Sequence, residues 1–516
     1  MLYKYILFTC LIFALEICAA DKPCWARPVT GESVVCVCNA TYCDEITREV
    51  PTDGRYVAYT SSEAGSRFLK TTGDIVTNSE EQCVITLTLD PTKTHQTIEG
   101  FGGAVTDSAG INWLNLTDPQ LKQKVIDSYF SSKGLEYNMV RTPIGGCDFS
   151  THAYAYNELP QDDAKLSNFS LSFEDFNYKI PMIKAIMAAA EHDVHIISTT
   201  WSPPPWMKTN DAFNGFSRLM PEYYQTYADY HLKYLQEYAK QGIKVWGITT
   251  TNEPINGVVP LVNFNSLGWT PEEMGHWIVN NLGPTIRNSS FADLKIITVD
   301  DNRIAIPIWF HKLLVNHPVV LSYIDGIGVH YYSDMIAPAS ILSVVADTYP
   351  NKLILATEAC EGSFPWQRAK VLLGSWDRAR NYIVDIINDL NHSVAGWIDW
   401  NLCLNAHGGP NWAKNFVDST IIVYPENKEF IKQPMFYGLG HFSKFIPRGS
   451  KRITVKEEKP MFSSSIDNVA FLTPSNTVVT VLYNGGKARS ICVKLDQKTV
   501  TLNLEPKSVL TLEILL

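Results

Sequence analysis

Residues 221–253 read PEYYQTYADYHLKYLQEYAKQGIKVWGITTTNE. Pro221 sits where the first turn of a helix accepts a proline, and the pattern predicts an amphipathic helix over 221–240. A short buried strand over 245–250 follows, and Asn252 and Glu253 stand just past its end. The same unit recurs along the chain. Further strands are predicted at 100–105, 137–142, 194–199, 294–299, 326–329, 353–356 and 396–398. Helices are predicted between them, including 119–130, 175–191, 271–280 and 376–390. Eight strand–helix units in series make a parallel sheet, and eight is the number that closes a (β/α)8 TIM barrel. An open doubly wound sheet is the alternative, but no Gly-x-Gly-x-x-Gly turn follows the first strand.

Outside this region the pattern changes. Runs at 469–472, 477–483, 490–495, 499–504 and 508–516 are β-branched or apolar. Turn groups such as Pro474-Ser475-Asn476 and Asn484-Gly485-Gly486 separate them. Residues 55–60 and 83–89 read likewise, so both ends of the chain are expected to build one β-sandwich of antiparallel strands.

The chain has 516 residues, 45% hydrophobic and 19% charged, with net charge −10. It can bury large cores, and it lacks the cationic block that nucleic acid requires. The 13 Trp and 24 Tyr fit either a binding cleft or heavy cores.

At the N-terminus, Lys4, the apolar stretch 6–15 and Cys18-Ala19-Ala20 read as a signal peptide, with the mature chain expected to begin near Asp21. Five sequons agree with a secretory route: Asn39, Asn115, Asn168, Asn288 and Asn391. Cys24, Cys36, Cys38 and Cys43 cluster, which in an oxidising compartment suggests two disulfides with three possible connectivities. A zinc site is the alternative, without a His nearby. Cys83, Cys147, Cys360, Cys403 and Cys492 are scattered and read as small apolar fillers.

Barrel sites form where the strands end. Those ends carry Asp107, Arg141, Asp148, Trp201, Trp206, Asn252, Glu253, Asp300, Asp301, Asn302, His330, Tyr332, Glu358, Trp397, Asp399 and Trp400. Glu253 ends the fourth strand and Glu358 the seventh. Such a pair can cut a glycosidic bond, one protonating the leaving oxygen and the other attacking the anomeric carbon. Taken alone, Glu253 could be a helix-starting carboxylate. Asp300, Asp301 and Asn302 could hold a metal, although a carboxylate pair without His carries little weight. His330 could wall the cleft or be a satisfied core histidine. Arg141 could be a structural ion pair. Trp201 suits sugar stacking, and Trp206 suits either stacking or core.

The motifs then resemble a known family. They include Cys-Val-Cys-Asn-Ala-Thr-Tyr-Cys at 36–43, Gly-Phe-Gly-Gly-Ala at 100–104, Asn-Glu-Pro at 252–254 and Glu-Ala-Cys at 358–360. Asp-Trp-Asn-Leu at 399–402, Gly-Gly-Pro-Asn-Trp at 408–412 and Gln-Pro-Met-Phe-Tyr at 433–437 continue the series. The chain resembles glycoside hydrolase family 30, in its glucosylceramide-cleaving branch.

The resemblance implies a lysosomal, retaining β-glucosidase that releases glucose and ceramide by double displacement, with no metal or organic cofactor. It implies Glu253 as acid/base and Glu358 as nucleophile, supported by Asn252, Tyr332, Arg141 and His330. Asp148, Phe149, Trp201, Trp400, Asp399 and Asn415 would surround glucose. The disulfides would pair Cys24 with Cys36 and Cys38 with Cys43. The implied organisation is a signal segment 1–20, a small antiparallel sheet from 21–48 and 402–432, a sandwich from 49–96 and 449–516, and a barrel from 97–401 and 433–448. Apolar residues after the two glutamates (Val258, Val259, Pro260, Leu261, Val262, Phe264, Leu267 and Trp269; Phe364, Pro365 and Trp366) would surround a lipid aglycone, or else pack as folded loops. An anionic lipid surface, a saposin-type activator and a lysosomal transport receptor are implied partners. The alternatives are a relative that cuts a plant glucoside or β-1,6-glucan, and a non-catalytic carbohydrate-binding or trafficking protein. The expected activity profile is bell-shaped with an acidic optimum.

Overall fold

The computed structural model describes residues 21–78, 83–259, 262–461 and 463–516. Eight parallel strands close a barrel in chain order. They are β1 (Gly100–Ala104), β2 (Met139–Ile144), β3 (His195–Thr200), β4 (Val245–Thr249), β5 (Lys295–Asn302), β6 (Gly326–His330), β7 (Leu353–Glu358) and β8 (Gly396–Asp399). The last, β8, pairs with β1 from Gly396↔Gly100 to Asp399↔Gly103. The expected barrel is thus present, with strand limits shifted by up to three residues.

Local chemistry explains the helices around it. In α1 (Pro119–Phe130) the Asp118 carboxylate accepts from the Gln120 and Leu121 amides. The opening stretch folds as one 3-10 turn at Pro221–Tyr223 followed by α2 (Tyr224–Lys240). Its Tyr227, Tyr230, His231, Tyr234 and Tyr238 recur at helical spacing and all face the core. Thr270 and Glu273 form a capping box on α3 (Pro271–Trp277). The helix expected over 175–191 is a π turn at Asp175–Lys179 joined to an α-helix that ends at Ala189.

Glycine sets the closeness of β1 and β2. A Cβ on Gly102 would lie 1.9 Å from the Met139 carbonyl oxygen, so no larger residue fits this ladder.

The two accessory sheets depart from expectation in one respect: each contains a parallel pairing. The small sheet orders Ala26–Arg27, Val35–Asn39, Glu429–Lys432, Ile421–Tyr424 and Leu404–Asn405, with the last pair parallel. The sandwich is one ten-stranded sheet whose two halves share a core that includes Leu87, Ile453, Val478, Val493 and Leu512. Thr86–Thr97 joins the halves. Register shifts bend its pairing with Lys451–Glu458, and it runs parallel to Arg489–Leu495.

That parallel pairing also corrects the reading of two cysteines. The Cys492 amide donates to the Ile85 carbonyl, which brings Cys83 alongside, and Cys83 and Cys492 are disulfide-bonded rather than apolar fillers. A separation of 409 residues conceals the pair in the sequence. Among the described residues Cys24–Cys36 and Cys38–Cys43 are also disulfide-bonded. Cys147, Cys360 and Cys403 are free and buried. Among the described residues no helix is long and apolar enough to cross a membrane.

Candidate active site

The barrel mouth gathers most of the sequence-predicted residues into one cavity of about 170 Å³. Asp148, Phe149, Trp201, Asn252, Glu253, Tyr332, Glu358, Trp400 and Asn415 line it, joined by Phe264, Cys360, Ser363 and Val417. Each predicted member except Asn415 is carried by a strand end or by the first residues beyond one; Asn415 comes from the loop between Leu404–Asn405 and Ile421–Tyr424.

Glu358 closes β7. Its two oxygens accept from the Arg141 guanidinium at 2.5 Å and from the Tyr332 hydroxyl at 2.8 Å. Arg141 lies within β2, fully buried, and also donates to Asn252 at 2.7 Å and to Asp300 at 2.9 Å. Burial works against its charge, but Asp300 and Glu358 outweigh it and raise its pKa. Its guanidinium carbon lies 4.9 Å from the centroid of Trp201 and 5.4 Å from that of Trp400, and these two indoles stack at 5.2 Å.

Glu253 follows β4 with a positive φ of 42°, a left-handed position that turns its carboxyl inward. One oxygen faces His330 Nδ1 at 3.0 Å, and the other accepts from the Asn256 side chain. His330 Nε2 lies 3.1 Å from Asp300. Burial opposes a charged imidazole, but Glu358, Asp300 and Glu253 prevail, and its pKa rises to about 10. A carboxylate oxygen on each ring nitrogen favours the doubly protonated imidazolium. The ligand atoms of Glu253, His330 and Glu358 lie within 4.8 Å of one another. A metal would need a lone pair from His330, and both of its nitrogens are committed to carboxylates.

Asp148 accepts from Asn411 at 3.0 Å and Asn415 at 3.1 Å, and burial raises its pKa to about 7 despite them. Burial and the nearby Glu253 likewise raise Asp301 to about 7.

Some residues named from the sequence stand elsewhere. Asp399 does not line the cavity, because its oxygens accept from Tyr382 and Thr420 behind it. Trp206 is a core residue that donates to the Asn157 carbonyl. Asp107 faces Ser150, Tyr154 and Lys179. Asp300 does not form the metal pair considered from the sequence; it is salt-bridged to Arg141 and His330. Of the loop residues, Leu267 and Trp269 are core, whereas Pro260 and Leu261 lie outside the described residues, as do residues 1–20. Asn115, Asn168 and Asn288 are exposed, while Asn39 and Asn391 are half-buried and Asn391 donates to the Asn468 carbonyl. Phe264, named from the sequence as a residue around a lipid aglycone, lines the sugar-sized cavity itself, and sequence reasoning missed Ser363 and Val417 as lining residues. It also missed Asn411, although the motif at 408–412 contains it.

Residues 98–446 match the glycosyl hydrolase family 30 TIM-barrel domain. The chain belongs to glycosyl hydrolase family 30. Residues 449–512 match the family's beta sandwich domain. The chain is 42% identical over 469 residues to the lysosomal acid glucosylceramidase of Mus musculus, covering 90% of this chain and 89% of that one. It is 38% identical over 521 residues to putative glucosylceramidase 3 of Caenorhabditis elegans, covering 99% and 98%. Among solved structures it is similar to SrfJ from Salmonella typhimurium, with TM-score 0.81 and 26% identity over 90% of this chain and all of that one. This family 30 chain is a glycoside hydrolase.

Proposed function

We propose that this hydrolase is a retaining β-glucosidase that cleaves glucosylceramide. The observation that carries the mechanism is the approach of Glu253 and Glu358, with a carboxyl oxygen of each within 4.8 Å of the other. Retention uses carboxyls about 5–5.5 Å apart, whereas inversion needs about 6.5–9.5 Å to admit a water. Glu358 attacks the anomeric carbon while Glu253 protonates the leaving oxygen, and Glu253 then activates water against the glucosyl ester. Two donors hold the Glu358 oxygens, as a nucleophile requires. The charges support the division of labour. Arg141 and His330 offset Asp300 and one glutamate, so the site is balanced when the other glutamate keeps its proton.

Asn252, Asp148, Asn415, Trp201 and Trp400 offer polar edges and flat faces to one glucose ring. The lipid part of the reading rests on the loops around the mouth. Ile304 and Ile308 follow β5, Met335 and Ile336 follow β6, and Trp366 follows β7 stacked on Phe364 at 4.7 Å; all but Phe364 are more than half exposed. Such a rim suits a ceramide chain and an anionic bilayer, with a saposin-type activator delivering the lipid. The similarity to the mouse lysosomal enzyme supports the lysosome, reached by the secretory route with a transport receptor.

The test compares glucosylceramide in anionic vesicles with a soluble fluorogenic β-glucoside and with β-1,6-glucan. Preferential release of glucose from the vesicles is expected. Preferential cleavage of the glucan would favour the activity named for a 28% identical relative, the endo-1,6-beta-D-glucanase of Neurospora crassa. Binding without turnover of any of the three would refute an enzyme.

A further inference from the structure

Asp300 sits in a bulge of β5. The register to β6 slips between Val299 and Asp301, and both Val299 (φ 69°) and Asp300 (φ 46°) are left-handed. A β-branched residue is a genuine outlier there, so the surroundings must hold the turn in place. The Glu253 amide donates to the Asp300 carbonyl at 2.9 Å, which ties the two strand ends together.

The turn sends the Asp300 carboxylate into the barrel, fully buried. One oxygen accepts from His330 Nε2 at 3.1 Å and Thr357 at 2.6 Å. The other accepts from Arg141 at 2.9 Å, Thr249 at 2.7 Å and Thr199 at 3.4 Å. A single carboxylate thus meets both buried cations of the site and three hydroxyls. Arg141 reaches Glu358 on its far side, and His330 Nδ1 lies 3.0 Å from Glu253 and 3.9 Å from Glu358.

We propose that Asp300 is the positioning residue of this site, fixing His330 as an imidazolium against Glu253 and aiming the Arg141 guanidinium at Glu358. The proposal rests on the glucosidase reading of those two glutamates. His330 is faced by Glu253 from the loop after β4, by Asp300 and Asp301 from β5, and by Glu358 from β7. Tyr332 lies edge-on at 6.3 Å, and Arg141 stands beyond Asp300. Asp300 is the anion on Nε2, and Glu253 the nearer of the two glutamates on Nδ1. If Asp300 became neutral, the imidazole would share its second proton with Glu253 more readily.

Asp300→Asn keeps the shape and removes the charge. The expected kinetic result is a loss of more than tenfold in kcat on a fluorogenic β-glucoside with KM changed less than threefold. The alkaline limb of the kcat/KM profile should move to higher pH, because the substitution removes the anion that holds a cation against the acid/base carboxyl. A uniform loss with an unmoved profile would reduce Asp300 to a structural residue and overturn the proposal. Nitrogen NMR of 15N-histidine-labelled enzyme supplies a readout that needs no turnover and does not depend on the folding of Asp300→Asn. In the wild type, the signal absent from His330→Gln should report two protonated nitrogens from pH 5 to 8. Titration of that signal near the ordinary histidine value would overturn the proposal by itself. Absence of β-glucoside hydrolysis by the wild type would instead refute the functional reading.

Discussion

Glu253 and Glu358 make different contacts, so their substitutions should differ in effect. Glu358 is held by Arg141 and Tyr332, and Glu358→Gln should abolish turnover whatever the leaving group. Glu253→Gln should slow substrates with poor leaving groups by about 10²–10⁴-fold and activated aryl glucosides far less at the first step. Leaving-group dependence in steady-state assays checks this, and equal losses on both substrates would contradict it. Both glutamates were legible in the sequence because each ends a readable strand. Asp300 was visible only as half of an acidic pair. Its importance arises from a backbone bulge and from hydroxyls on β3, β4 and β7, and no local pattern encodes either. Asp399 shows the converse. It shares a motif with Trp400, yet strand alternation sends the two side chains to opposite sides.

At the level of elements, periodicity served well because the barrel strands are buried on both faces and the helices carry a clear apolar stripe. Pro119, Pro221 and Pro271 marked helix starts by a local rule. The parallel strand pairings and the Cys83–Cys492 bond were hidden because they join segments distant in sequence. That bond ties the segment before Thr86–Thr97 to its parallel neighbour Arg489–Leu495, and Cys492→Ser should cost about 2–5 kcal/mol, read as a lower denaturant midpoint. An unchanged midpoint would contradict this. Gly102→Ala would drive a methyl into the Met139 carbonyl, and it should cost more than the ~1–3 kcal/mol typical of overpacking. Its stability is expected to fall too low for a normal yield of folded protein, and a wild-type yield and unfolding curve would refute that.

For the whole molecule, burial has sorted the titratable groups by sign. It raises Asp107 to about 6, Asp148 and Asp301 to about 7 and Asp399 to about 8. Burial and the neighbouring Asp385 and Asp389 raise Asp334 to about 11 beside Arg303. These carboxyls keep protons that an unfolded chain releases near pH ~4, so the stability they contribute is lost as pH rises through their folded values. His330, raised to about 10, contributes fully below pH ~6.5 and loses its share above it. Burial lowers His195 and His231 to about 4 and His441 to about 3; these cost stability only below pH ~6.5. Lys208, lowered to about 7 by burial, acts in the opposite sense, its cost easing as pH rises above 7. Between pH 6.5 and 8 the raised carboxyls and His330 outnumber it. The melting temperature should therefore fall by several degrees over that interval, as calorimetry would show. A flat or rising Tm would contradict the burial pattern. Loss of stability above pH 6.5 agrees with the lysosomal reading and with the acidic optimum expected for catalysis.

The central claim is that Glu358 forms a covalent glucosyl bond while Glu253 serves as acid and base. A slow 2-deoxy-2-fluoro-β-glucoside carrying a good leaving group, followed by peptide mapping of the inactivated enzyme by mass spectrometry, tests it most directly. One fluoroglucosyl group should appear, esterified to Glu358. A label on any other carboxylate, or turnover of the reagent with no covalent label, would contradict the claim.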